Sequence, residues 1–248
     1  MSSLLNHLKN LHSAPASPTA ARSLRALSRL LAYPDAEVRA HLGELLGALR
    51  DEQGLGESRL TGLARLVSQL QGMQGGDGFD VESDYVELFD RGRATSLHLF
   101  EHVHGDSRDR GQAMVDLVQT YEQAGLRLNP ANGGELPDHL PLVLEFASTL
   151  QADAARDFTG EFAHILNALY AALLKRRSLY AHVPAAVLEL MGQAIEPTEV
   201  PEDEALDDTW AEPPAFDGCS SRGQQRPGQP QPIHIVRSQG GAQAQRGA

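Results

Sequence analysis

Leucine at helical spacing, cut at short intervals by proline and glycine, constrains this chain more than any other feature. Leu24, Leu27, Leu30 and Leu31 share one helix face, and the stripe stops at Tyr33-Pro34. Asp35 is a good N-cap for a second stripe of Val38, Leu42, Leu45, Leu46 and Leu49, which Gly54 and Gly56 break. A third opens at Ser58 with Leu60, Leu63, Leu66, Val67 and Leu70, and ends in the glycines at 72, 75, 76 and 78. The same spacing predicts helices over 81–89, 95–103, 109–124, 137–152, 157–177 and 184–194. Arg91-Gly92-Arg93 separates the first two of these, Gly105 ends the second, Gly125 is a C-cap, and Pro137 takes a first helical position. Only Ile233-His-Ile-Val alternates with period two. Aromatic residues are 5% of the chain and alanine and leucine abound, which favours helix because unbranched side chains lose little rotamer freedom there. The expectation is all-α, a single multi-helix bundle over residues 19–195.

Past residue 195 the composition changes. Residues 196–217 are acidic and proline-containing and are expected to be partly disordered, and 218–248 form a low-complexity Gln/Gly/Pro/Arg-rich tail without an acidic residue. A net charge of −12 argues against nucleic acid and favours a basic peptide as partner. With one cysteine, Cys219, neither an intramolecular disulfide nor a cysteine-based zinc site can form, as suits the cytoplasm. No signal pattern opens the chain, and no apolar run reaches the roughly 18 residues that a membrane helix needs.

Chemistry-bearing residues concentrate in Tyr85–His104, YVELFDRGRATSLHLFEHVH, which holds His98, His102 and His104. Tyr85, Leu88, Phe89, Leu97, Phe100 and Val103 fall at helical spacing, with titratable groups on the opposite face. A second cluster, Glu135-Leu-Pro-Asp-His139, opens another helix; Asp138 and His139 read as an acid/base pair or, by default, as a cap by Asp138 that leaves His139 free to face the groove. We expect the two segments to line one groove. His98-Leu-Phe-Glu-His102 also matches H-x-x-E-H, which on one helix would let His98 and His102 share a zinc ion, with Glu101 as base and Glu122 or Asp116 as third ligand. The plainer alternative is two surface histidines beside acidic neighbours. The charge knot Asp106-Ser-Arg-Asp-Arg110 starts a helix; Arg108 and Arg110 can pair with Glu101 or Asp90, as a salt-bridge lattice or as a polar rim around a ligand. No nucleophile elbow and no P-loop accompanies these residues.

The run YVELFDRGRATSLHLFEHVHGDSRDRGQAMVDLVQTYEQAGL, followed by ELPDHLPLVLEFAS, resembles the NarJ-type nitrate reductase assembly chaperones, the delta subunit family. These belong with the wider redox-enzyme maturation chaperones, which include TorD and DmsD. The wider group's hallmark, E-P-x-D-H, reads Glu135-Leu-Pro-Asp-His139 here, its proline shifted by one place. Leu31-Ala-Tyr-Pro34 and Trp210-Ala-Glu-Pro-Pro-Ala-Phe216 extend the resemblance across residues 20–216. It implies an all-helical, non-catalytic protein with no stably bound cofactor. Such a protein binds the N-terminal peptide of the catalytic (alpha) subunit of nitrate reductase in the cytoplasm. It keeps that subunit open for molybdenum cofactor insertion, delays its docking at the membrane, and stays out of the finished enzyme. By the same resemblance Tyr85, Leu88, Phe89, Asp138 and His139 bind peptide; charge adds Asp90, and His98, Glu101, His102, Arg108, Arg110 and Glu135 form a rim. Tyr85, Leu88 and Phe89 are equally well read as core.

Overall fold

Asp35 acts as its position predicts, its side chain accepting the Val38 N–H at 2.8 Å where the second helix begins. The structure, a computed structural model, describes residues 20–72, 78–105, 107–129 and 134–196. Among these residues there are ten α-helices and no strand: α1 Ala21–Leu31, α2 Ala36–Asp51, α3 Glu57–Gly72, α4 Phe79–Phe89, α5 Leu99–His104, α6 Arg108–Gln123, α7 Leu140–Ala147, α8 Ala152–Gly160, α9 Ala163–Lys175 and α10 His182–Leu190. Two 3₁₀ turns, Arg93–Thr95 and Leu179–Ala181, precede α5 and α10. The expected acidic segment past Glu196, the tail 218–248 and the Ile233 alternation lie outside the described residues.

The leucine stripes become the core. Leu24, Leu27, Leu30 and Leu31 of α1 are sealed between α7 and α2, while α2 packs on α3 and α9 on α10. Polar contacts tie this frame. Ser28 donates its hydroxyl to the Pro141 carbonyl at 2.6 Å, joining α1 to α7. The first turn of α1 has no cap of its own, and Glu52, just past α2, accepts the N–H groups of Arg22 and Ser23 at 3.2 and 2.6 Å. Buried Asn167 receives the Glu196 N–H at 2.8 Å and donates to the Ala194 carbonyl at 3.1 Å, holding the chain after α10 against α9.

Four boundaries differ from the expectation. The helix expected over 95–103 begins at Leu99, because residues 96–98 are spent on a chain crossing described below. The helix expected over 137–152 spans only Leu140–Ala147, since the Ser148 and Thr149 hydroxyls donate to the Glu145 and Phe146 carbonyls and close its end. The one expected over 157–177 is two, α8 and α9, broken at residues 161–162, where Phe158 and Phe162 bury their rings against each other 5.4 Å apart. The last starts at His182 and ends at Leu190, with Gly192 in the left-handed region at φ +64°.

Candidate functional site

Two short stretches distant in sequence cross antiparallel and make the centre of the site. The Leu140 N–H donates to the Leu97 carbonyl at 2.8 Å and the Leu99 N–H to the Asp138 carbonyl at 3.1 Å, so His98 and His139 face each other in an isolated bridge. Asp138 is completely buried. One of its oxygens accepts the Phe100 N–H at 2.9 Å and the other faces His98 Nδ1 at 3.4 Å. Asp138 therefore caps α5 across the crossing, not α7, the helix it precedes. The reason is geometric: α7 starts at Leu140 with His139 in the N-cap position, and its own first turn receives no side-chain cap. The start of α5, with the positive end of its dipole, takes the carboxylate instead.

The rings of His98 and His139 stack with centroids 5.2 Å apart, and Glu135 approaches His139 Nδ1 at 3.6 Å. Their basicities diverge. The hydrogen bond to Asp138 raises the His98 pKa above the usual histidine value, against the opposing effect of partial burial. Burial lowers that of His139, with the positive charge of His98 acting in the same direction. His102 is lowered by burial as well, and its Nε2–H donates to the Ser96 carbonyl at 2.9 Å.

Tyr85 and Phe89, 7% and 4% exposed, sit in an aromatic cluster with Tyr33 and Tyr180. The Tyr85 hydroxyl donates to the Leu31 carbonyl at 2.7 Å, and burial raises its pKa far above the phenolic range. Leu88 is half-buried, its carbonyl accepting the Thr95 hydroxyl, and Asp90 is exposed at the C-cap of α4. Phe89 and Asp90 open onto a cavity of about 390 Å³ that Arg93, Ser96, His98 and Glu101 also line. Arg110 reaches this edge through an ion pair with Glu101 at 3.2 Å. Arg108 is exposed at the start of α6. Thus Phe89, Asp90, His98 and Glu101 share a cavity, Asp138 and His139 support it from behind His98, and Tyr85 belongs to the core.

The sequence marks Arg93 and Gly105 only as part of a helix break and as a helix stop, and Ser96 not at all. Arg93 donates from Nε and from a terminal nitrogen to the Glu101 carbonyl at 3.0 and 2.7 Å, and lies where a Cβ on Gly105 would stand. Gly105 holds φ +53°, so glycine is required there by conformation and by space. Its only signal in the sequence was a glycine after a histidine-rich helix, which reads equally as a simple stop.

The zinc alternative receives no support from this arrangement. His98 lies before α5 in an extended conformation, so the two imidazoles do not share a helix face. The His98 Nδ1 faces a buried carboxylate and the His102 Nε2 is taken by a carbonyl. Among the described residues no three His, Cys, Asp or Glu side chains converge as metal ligands would. Among them, too, no helix is long and apolar enough to cross a membrane.

Residues 34–186 match the family model described as nitrate reductase delta subunit. The chain is 47% identical over 186 residues to the nitrate reductase molybdenum cofactor assembly chaperone NarJ of Escherichia coli K12, covering 74% of this chain and 76% of that protein. It is 43% identical over 143 residues to the probable assembly chaperone NarW of the same organism, covering 54% and 61%. It is 33% identical over 170 residues to the probable NarJ of Bacillus subtilis strain 168, covering 67% and 88%.

Proposed function

The chain belongs to the nitrate reductase delta subunit family, and from that premise we propose that it is a molybdenum cofactor assembly chaperone for nitrate reductase and not an enzyme. The observation that carries this reading is the reach of the match, since residues 34–186 take in all of α4, the cavity and the His98–His139 crossing. The mode of action we propose is capture of the N-terminal peptide of the catalytic subunit in the cytoplasm. Capture keeps the subunit open while the cofactor is inserted and delays its docking at the membrane; the chaperone holds no cofactor of its own stably. The charge of α4 supports this: Asp80, Asp84 and Glu87, with Asp90 at its end, are exposed, while Glu82 is already matched to Arg39 at 2.8 Å. A basic amphipathic helix would set its apolar side against Leu88 and the lip of Phe89 and its charge against Asp90, with His139 and the rim residues alongside.

Calorimetric titration with a synthetic peptide of roughly the first 15 residues of the catalytic subunit from the same organism tests the peptide reading. Micromolar or tighter binding, about 8 kcal/mol, is the expected result. Absence of heat between about pH 6 and 8 would move recognition off the peptide.

A further inference from the structure

A second site lies away from the crossing, where the end of α2, the loop after it and the face of α3 enclose a groove of about 610 Å³. Its volume is in the range of small-molecule sites, roughly 300–1,000 Å³. Leu55, Leu60 and Ala64 supply apolar surface, Leu55 being 7% exposed. Arg50 and Arg65 line the groove with the hydroxyls of Thr61 and Ser68. Thr61, Arg65 and Ser68 follow one another at intervals of four and three, and so share a face of α3. Neither arginine has an ion pair or hydrogen bond within the described residues, whereas Arg39, Arg59 and Arg110 are each matched to a carboxylate. In a chain of net charge −12, two unmatched guanidinium groups against one carboxylate, Glu57, give this groove a lining with an excess of positive charge. His182 reports the same field: burial first, and then the positive charges of Arg59 and Arg65, lower its pKa. The backbone at the lip is also unusual, since Gln53 holds φ +54° without being glycine.

We infer that this groove binds an organic phosphate of nucleotide size, its phosphates held by Arg50 and Arg65 and its flat body laid on Leu55, Leu60 and Ala64. Guanidinium groups suit phosphate oxygens through paired charge-assisted hydrogen bonds, and the Thr61 and Ser68 hydroxyls add donors. Glu57, the one acidic residue lining the groove, disfavours a ligand that presents phosphate along its whole length and leaves room for an uncharged body.

The test is titration of the full chain at low salt with ADP, adenosine and inorganic pyrophosphate, read by calorimetry and ligand-observed NMR. The expected result is sub-millimolar ADP affinity, weaker binding of either half alone, and at least about a tenfold loss in R50Q/R65Q. Because both arginines are exposed, circular dichroism and the urea midpoint of that variant are expected to match the parent. No ADP binding at about 10 mM, or equal binding by parent and variant, would overturn the proposal. Pyrophosphate binding as tightly as ADP would overturn the role given to the apolar floor.

Discussion

Asp138 shows how one side chain can be read correctly by type and wrongly by partner. A carboxylate after proline at a helix start reads as a cap, and it is one, but for α5 across the crossing. Removing it strands the Phe100 N–H and leaves His98 without its carboxylate. Asp138→Ala is therefore expected to cost about 2–4 kcal/mol in urea unfolding, and Asp138→Asn, which keeps an acceptor for Phe100, about half of that. Phe89 poses the opposite problem. Its ring is 4% exposed and lies 5.1 Å from that of Tyr180, so Phe89→Ala is expected to cost about 3–5 kcal/mol and confounds any binding measurement. Asp90→Asn, at an exposed position, is the cleaner probe. It is expected to weaken the catalytic-subunit peptide a few-fold, about 0.5–1 kcal/mol, with an unchanged urea midpoint.

At the scale of elements, α5 is six residues long and cannot persist by its own propensity. It stands because Asp138 caps its start and Arg93 holds the Glu101 carbonyl near its end, over Gly105. Gly105→Ala meets a positive φ and an occupied space, and is expected to lower stability by about 1–3 kcal/mol by chemical denaturation, without changing helix content elsewhere. The histidines around α5 make its stability depend on pH in two opposed ways. His102 has a folded pKa below its unfolded value, so its contribution is complete above about pH 6.5 and is lost as pH falls below that. His98 has a folded pKa above its unfolded value, so its contribution is complete below about pH 6.5 and is lost as pH rises through the folded pKa. Urea midpoints measured from about pH 5 to 8 are expected to fall less steeply on the acid side in His102→Gln, and more steeply in His98→Gln.

For the whole molecule, the frame and the site share one core, which takes in Leu97, Leu99, Phe100 and Leu140 of the crossing. α1, α2, α7, α9 and α10 enclose the leucine core, whereas the candidate site hangs on two short stretches stitched across it. Ser28 and Pro141 join these systems, because α7 carries both the α1 contact and the crossing. None of the residues that we assign to the peptide lies within 218–248. A chain ending at Asp217 is expected to bind the catalytic-subunit peptide with the affinity of the full chain, measured by the same calorimetry.

The helical class, the leucines of the core and the Asp35 cap were legible in the sequence, because each depends on residues within one turn or one stripe of each other. So was the family, which rests on contiguous stretches of sequence. The partner of Asp138, the start of α5 and the divergence of His98 from His139 were not. They depend on residues 97–100 meeting residues 137–140, which only the packing of α7 against α1 brings together. Helical spacing ran smoothly from Thr95 through Val103, and it gave way because Leu97 and Leu99 satisfied their backbone groups across the crossing at 2.8 and 3.1 Å. Local pattern determined which faces are apolar, and tertiary structure decided which polar groups meet, because a buried donor takes whatever acceptor the fold delivers.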